Sequence, residues 1–257
     1  MTRLFRNSKH VASLEAVVME QAEDDDVQTV HGYVLPRYDY QLRNLIKAKR
    51  GNRRGGTSAL FEISFGQRFK IIRQLSECVY TLHKHGIAHL DLSGTNIMVN
   101  IRDGRVETKV IDFGSCCFFQ DDAARRRSDS VDDFPPVLLD FDSDVGHVTY
   151  RSPEAFFRGH KIMDPTKIDI WALGVMIYET LVGHLAWDSK FGDEVRLTVQ
   201  SSTKVAAYTK DLPPTWQVLL ACCLRPNPQD RWVASRIFRF VCTYETPLMR
   251  ELEELYV

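Results

Sequence analysis

No stretch of this sequence supplies the roughly 18 uncharged apolar residues that a membrane span needs. The opening MTRLFRNSKH has no apolar core of the kind a secretory leader carries. No C-x-x-C occurs either. The six cysteines, Cys78, Cys116, Cys117, Cys222, Cys223 and Cys242, include two adjacent pairs, which suits neither a zinc site nor a secreted disulfide framework. Neither sign of charge is in excess. With 33 Lys and Arg against 34 Asp and Glu, no global field recruits nucleic acid or an anionic membrane, and any phosphate binding has to be local. No internal repeat is visible. These absences predict a soluble intracellular protein, cytoplasmic or nuclear, with neither nucleic acid nor membrane among its partners. At 257 residues, 44% hydrophobic and 26% charged, the chain can bury a full-sized core as one large domain or one domain plus a remnant.

Two short apolar runs, 14–19 and 30–35, flank Glu23-Asp24-Asp25-Asp26 and predict two strands of a small sheet with an exposed connection. Residues 40–49 are helical in pattern, and RGNRRGG at 50–56 follows as a basic glycine-rich loop. A phosphate loop needs a strand before it and a helix opening directly after it. Here 57–64 intervene, so this loop is a solvated linker. From Ser64 a long helix is predicted to His85: Ser64 caps it, Phe69, Ile72, Leu75, Val79 and Leu82 recur at helical spacing, and Gly86 stops it. Residues 97–99 and 108–111, joined through Asp103-Gly104, predict a hairpin. Segment 88–96 is therefore a loop held between a long helix and that hairpin. Residues 115–150 are polar and aperiodic, a length that marks a functional or disordered segment. Asp164-Pro165 then opens a helix in which Ile168, Ile170, Trp171, Leu173, Met176, Ile177, Tyr178 and Leu181 cover nearly every face, so it is buried. Helices at about 215–224, 233–244 and 247–255 complete a bundle around it.

The loop HLDLSGTN at 89–96 places Asp91 five residues before Asn96, and DFG at 112–114 puts a second acid, Asp112, at the end of the hairpin. Phosphoryl transfer uses these types. One carboxylate orients and deprotonates the attacking hydroxyl, while an amide oxygen and another carboxylate hold Mg²⁺ against the β- and γ-phosphates. Singly, each piece is ordinary turn chemistry. Together with YRSPE at 150–154, DIWALG at 169–174 and Arg231 after LRPNPQD, in that order, they are not.

The series resembles the eukaryotic protein kinases, over about residues 7–245. The resemblance implies an α+β, protein-kinase-like fold, mainly the α-helical C-lobe with a remnant of the β-sheet N-lobe. Residues 1–39 would be the partial N-lobe (the end of its helix, its last two strands and the hinge). Residues 40–257 would be the C-lobe with catalytic loop, DFG and activation segment. It further implies ATP and Mg²⁺ as cofactors, a protein substrate, regulatory protein partners, and transfer of the γ-phosphoryl group to Ser or Thr hydroxyls. By resemblance Asp91 is the catalytic aspartate, Asn96 and Asp112 are the metal ligands, and Met98 joins these two against the nucleotide. Ser93 occupies the place of a catalytic-loop lysine. His89 and Phe113 would pack behind the site, Glu154 would pair with Arg231, and Asp169 would tie the buried helix to the catalytic loop. DFGSCCF, YRSPE and YQLRNLI at 40–46 are similar to the dual-specificity and related branches of the CMGC group, whereas LGVMIYETLVG is closer to other serine/threonine kinases.

The sequence departs from the family in several places. No G-x-G-x-x-G follows a strand and no V-A-I-K-like lysine precedes residue 30. The first three strands, the ATP-facing lysine and its glutamate partner are thus not among these residues, which suggests a longer product in which Met1 is internal. Three lost phosphate contacts at ~1.5 to 3 kcal/mol each correspond to a rate loss of about 10³ to 10⁶. Ser93 in place of the lysine costs about ten- to a hundredfold more. His147, where many relatives have Thr, is read as an exposed loop histidine, the alternative being a protonated imidazole that partly replaces the missing cation. Leu90 replaces the arginine that reads a phosphorylated activation loop, so activity is expected not to depend on loop phosphorylation in the usual way; Ser128 and Ser130 still look like modification sites. The rival expectation is a pseudokinase-like interaction scaffold. A small-molecule phosphotransferase is the minor one, since aminoglycoside and choline phosphotransferases share the H-x-D-x-x-x-x-N loop but not the rest of the series.

Overall fold

The computed structural model describes residues 8–21, 28–47, 63–119, 139–141, 146–156, 161–184, 186–187 and 192–255. The acidic stretch at 23–26, the basic loop at 50–56 and Ser128 and Ser130 lie outside them. The architecture is α+β: among the described residues, helices gather around one buried rod, with four small sheets of two or three strands.

The first strands, β1 (Ala16–Gln21) and β2 (Gln28–Val34), pair antiparallel with an irregularity between Val18 and Met19. No other strand joins them among the described residues. Val17, Val18, Met19, Val30, Tyr33 and Val34 all remain exposed there. Such a two-stranded ribbon buries too little to be stable by itself. Residues 40–49 split where the sequence predicted one helix: β3 (Tyr40–Gln41) pairs with the next sheet before α1 (Leu42–Lys47) begins.

The long helix α2 (Phe65–Lys84) has the predicted ends. Ser64 accepts from the Gln67 N–H while the Gln67 side chain accepts from the Ser64 N–H, a reciprocal cap, and Gly86 leaves the helix at φ 68°. Its apolar stripe packs on α3 (Pro165–Val182) and α7 (Ala234–Thr243). After α2 come β4 (Ile87–Ala88), then β5 (Ile97–Arg102) and β6 (Arg105–Val110). Asp103 and Gly104, at φ 51° and 72°, make the two-residue turn between the latter pair. The remaining strands are β7 (Cys117–Phe118), paired with β4, and β8 (Leu139–Phe141), paired with β9 (Lys161–Met163).

Helix α3 is buried on all sides, as its composition predicts. Asp164 caps it, Pro165 occupies its first turn and Gly183 ends it at φ 72°. Gly174 lets α6 (Pro214–Cys223) approach: a Cβ there would sit 2.6 Å from the Cys223 Cβ. Helix α8 (Glu245–Glu254) closes the bundle beside α7. Two helices escaped the sequence reading, α4 (Gly192–Val199) and α5 (Ser202–Thr209). Each spans eight residues and buries few apolar side chains, Val195 and Val199 on one and Val205 on the other, too few for a period to show.

Candidate active site

The loop between β4 and β5 is fixed from below by α3. Asp169, fully buried, accepts the His89 N–H at Oδ2 and the Leu90 N–H at Oδ1, both at 2.8 Å, and lies 3.0 Å from His83 Nε2. These bonds hold Leu90 at φ 66°, a left-handed conformation that a leucine adopts only under such constraint. The His89 ring donates from Nε2 to the Ile111 carbonyl at 3.1 Å and accepts the Asp91 N–H at Nδ1, so one tautomer satisfies both contacts. Its ring centroid is 4.8 Å from that of Phe113. The sequence-level roles of Asp169, His89 and Phe113 thus correspond to real contacts.

Asp91 and Asn96 form one hydrogen-bonded unit. Both N–H bonds of the Asn96 amide go to Asp91, to its carbonyl at 2.8 Å and to Oδ2 at 2.9 Å. This orientation leaves the amide oxygen as an acceptor. The His147 backbone N–H fixes the other carboxylate oxygen, Asp91 Oδ1, at 2.9 Å. The Asn96 carbonyl accepts the Ile111 N–H at 2.9 Å, which brings Asp112 beside the loop. Asp112 is exposed, sits at φ 60° and accepts the Gly114 N–H at Oδ1. It borders a cleft of about 590 Å³ whose other walls include Leu14, Leu35 and Phe113.

The donor chemistry suits a hard cation. An amide oxygen and one carboxylate are the number and kind of protein ligands that Mg²⁺ takes when phosphates and water complete its shell. No group of three or more His, Cys, Asp or Glu side chains placed to hold a metal occurs among the described residues.

Two candidate side chains make no hydrogen bond to this unit among the described residues, although the Ser93 carbonyl accepts the Asn96 N–H at 3.0 Å. Ser93 is fully buried, and its hydroxyl is 2.7 Å from Thr95 Oγ1. Met98 is half-buried on β5 between Gln41 and Lys109, and its strand neighbours Ile97 and Val99 are the ones that face the core. His147 is half-buried rather than exposed. Its Nδ1 lies 3.3 Å from the Thr149 N–H and its Nε2 3.2 Å from Arg43 Nη1; a neutral ring has one acceptor nitrogen and takes only one of these bonds, the one from Arg43 when the ring proton sits on Nδ1. An imidazolium has no lone pair for either contact and would oppose the guanidinium. A protonated His147 as substitute cation therefore does not fit.

Below the loop, the segment from 146 to 156 is anchored by buried polar pairs. Arg231 Nη1 and Nη2 bond Glu154 Oε1 and Oε2 at 2.6 and 2.7 Å, as the sequence implied. Tyr150 donates to Glu179 Oε2 at 2.7 Å, and burial beside that carboxylate pushes its phenol well above the usual range. Glu179 Oε1 accepts the Ala186 N–H, and Trp187 Nε1 donates to the Thr149 carbonyl. Glu179 went unnoticed in the sequence, although an acid inside an otherwise apolar buried helix signals a satisfied polar contact.

Comparison with known proteins gives the family. Residues 40–240 match the model of the protein kinase domain. The ovarian-specific serine/threonine-protein kinase Lok of Drosophila melanogaster is 30% identical over 184 residues, covering 71% of this chain and 35% of Lok. Mouse mitogen-activated protein kinase kinase kinase 4 is 28% identical over 182 residues, 67% of this chain and 10% of that protein. The mouse dual specificity protein kinase TTK is 22% identical over 260 residues, 90% of this chain and 28% of TTK. The chain thus spans a minor part of the length of these relatives. It belongs to the protein kinase domain family.

Proposed function

We propose that the chain is the catalytic part of a protein kinase that transfers the γ-phosphoryl group of ATP to Ser or Thr hydroxyls of a protein. Residues 1–39 would be what remains of an N-lobe, and 40–257 the C-lobe. One observation carries the reading: the Asn96 amide bridges the backbone and side chain of Asp91 at 2.8 and 2.9 Å, which leaves its oxygen as an acceptor, while the Asn96 carbonyl takes the N–H of Ile111, the neighbour of Asp112. A bare scaffold gains nothing from that arrangement. Serine/threonine kinases among the relatives favour the same acceptor class.

Asn96 and Asp112 are the residues that would hold Mg²⁺, which when bound neutralises charge on the transferring phosphates. Asp91 is held at both carboxylate oxygens, by Asn96 and by the His147 N–H, and so presents a fixed base to the substrate hydroxyl. As the hydroxyl oxygen bonds to the γ-phosphorus, the bond to the β–γ bridging oxygen breaks, ADP leaves with its electron pair, and the hydroxyl proton passes to Asp91. The exposed apolar β1–β2 ribbon fits a sheet that further strands extend. No helix among the described residues is long and apolar enough to cross a membrane. The enzyme we propose is cytoplasmic or nuclear and meets protein substrates and regulatory partners there.

A scaffold without chemistry is the second reading, favoured by the burial of Ser93 and by Leu90. The test is transfer from γ-labelled ATP to a mixed Ser/Thr/Tyr peptide library, with Asp91→Asn as control. Label on Ser and Thr that Asp91→Asn abolishes supports the kinase. No label from the wild type, alone or with an N-lobe supplied upstream, supports the scaffold.

A further inference from the structure

The loop that positions Asp91 lacks a cation of its own, because Leu90 and Ser93 stand where basic residues are usual and Ser93 points inward to Thr95. A cation nevertheless reaches this loop from outside. Arg43, near the start of α1, donates its backbone N–H to the Gly94 carbonyl at 2.8 Å. Its stem lies directly over the loop: a Cβ built on Gly94 would be 3.2 Å from the Arg43 Cβ. A side chain at 94 would also meet the Tyr150 hydroxyl at 2.9 Å. Glycine at this position is therefore what lets α1 close on the catalytic loop.

The guanidinium itself is seated on His147, Nη1 to Nε2 at 3.2 Å, and the same residue's backbone N–H bonds Asp91 Oδ1 at 2.9 Å. One residue thus separates the guanidinium from the carboxylate of the catalytic base. Arg43 makes no ion pair with a carboxylate among the described residues. An arginine that is half-exposed, held by a neutral ring and short of an anion has most of its five donors available. Planar forked donors suit phosphoryl oxygens.

We propose that Arg43 carries positive charge to the phosphoryl group in transfer, replacing the lysine that Ser93 does not supply, with His147 as the positioning residue that aims it. This rests on the kinase reading above. The role is electrostatic: the guanidinium stabilises charge on the transferring oxygens while the proton still passes to Asp91.

The test uses the full chain and two probes, Mg²⁺-ADP alone and Mg²⁺-ADP with aluminium fluoride, whose planar anion mimics the group in flight. Wild type is expected to bind the fluoride complex more tightly than Mg²⁺-ADP. Arg43→Gln should leave Mg²⁺-ADP affinity unchanged and lose about ten- to a hundredfold of the fluoride gain, the scale of one charge-assisted contact. Arg43→Lys should retain part of it. A role limited to holding His147 would lower thermal stability and leave the fluoride gain intact, which overturns the proposal. Loss of both affinities in Arg43→Gln overturns it as well, since the residue would then serve nucleotide binding or folding. If wild type binds neither probe, alone or with an N-lobe supplied upstream, the kinase reading fails and takes this inference with it; if wild type binds both and Arg43→Gln matches it, the inference alone fails.

Discussion

Arg231 and Glu154 face each other through two parallel hydrogen bonds of 2.6 and 2.7 Å, with the guanidinium fully buried. The remaining donors of Arg231 reach the carbonyls of Arg225, Pro226 and Lys167. Its Cζ also lies 5.0 Å from the Trp171 ring. The pair therefore joins three parts of the chain: the segment at 146–156, helix α3 and the approach to α7.

Breaking this pair leaves a buried charge without its partner. Glu154→Gln should destabilise the fold by about 3 to 5 kcal/mol, read as a lowered urea midpoint. The double variant Glu154→Leu with Arg231→Met should lose less than the two single changes together, because neither charge is then stranded. Additive losses would mean that the two side chains act independently.

Gly174 offers a test of helix packing. A Cβ there meets Cys223 Cβ at 2.6 Å and Leu224 Cδ2 at 2.9 Å, inside contact distance. Gly174→Ala should therefore cost about 1 to 3 kcal/mol despite alanine's better helix propensity. An unfolding midpoint equal to or above that of wild type would show that α3 and α6 can separate freely.

His10 supplies a pH dependence. Its ring is buried, and Nε2 lies 3.3 Å from Glu77 Oε2. Burial, the larger effect, outweighs the attraction of Glu77, is aided by Lys109 and Lys9, and lowers the imidazole from its ordinary 6.5. Between the lowered folded value and 6.5 the unfolded chain binds the proton more readily, so stability rises with pH there. The His10 contribution is complete above 6.5 and is lost as pH falls toward the folded value. Urea midpoints measured from about pH 7.5 down to about pH 5.5 should fall more steeply for wild type than for His10→Gln. Parallel curves would assign the dependence to other groups.

Much of this was legible in the chain because the signals are local. Ser64 and Gly86 bound α2, Asp103-Gly104 turns β5 into β6, and the order of HLDLSGTN, DFG and YRSPE anticipates which residues meet. What sequence could not supply is contact between elements far apart. Arg43 and His147 are 104 residues apart and Tyr150 and Glu179 are 29 apart; neither pair follows a period. The fate of Ser93 was equally hidden, since its spacing says where the residue falls in the loop and not that its hydroxyl turns inward to Thr95. Helices α4 and α5 were missed because tertiary packing, rather than an apolar stripe, holds them.

The account depends on Asp112 and Asn96 gripping magnesium beside a nucleotide. The direct measurement is the thermal unfolding of the full chain with ATP, with and without Mg²⁺, for wild type and Asp112→Ala. Wild type should be stabilised by ATP only when Mg²⁺ is present, by about 2.7 kcal/mol at a hundredfold excess over Kd, and Asp112→Ala should lose that gain. Equal stabilisation of the two proteins, or none in either, would contradict the account.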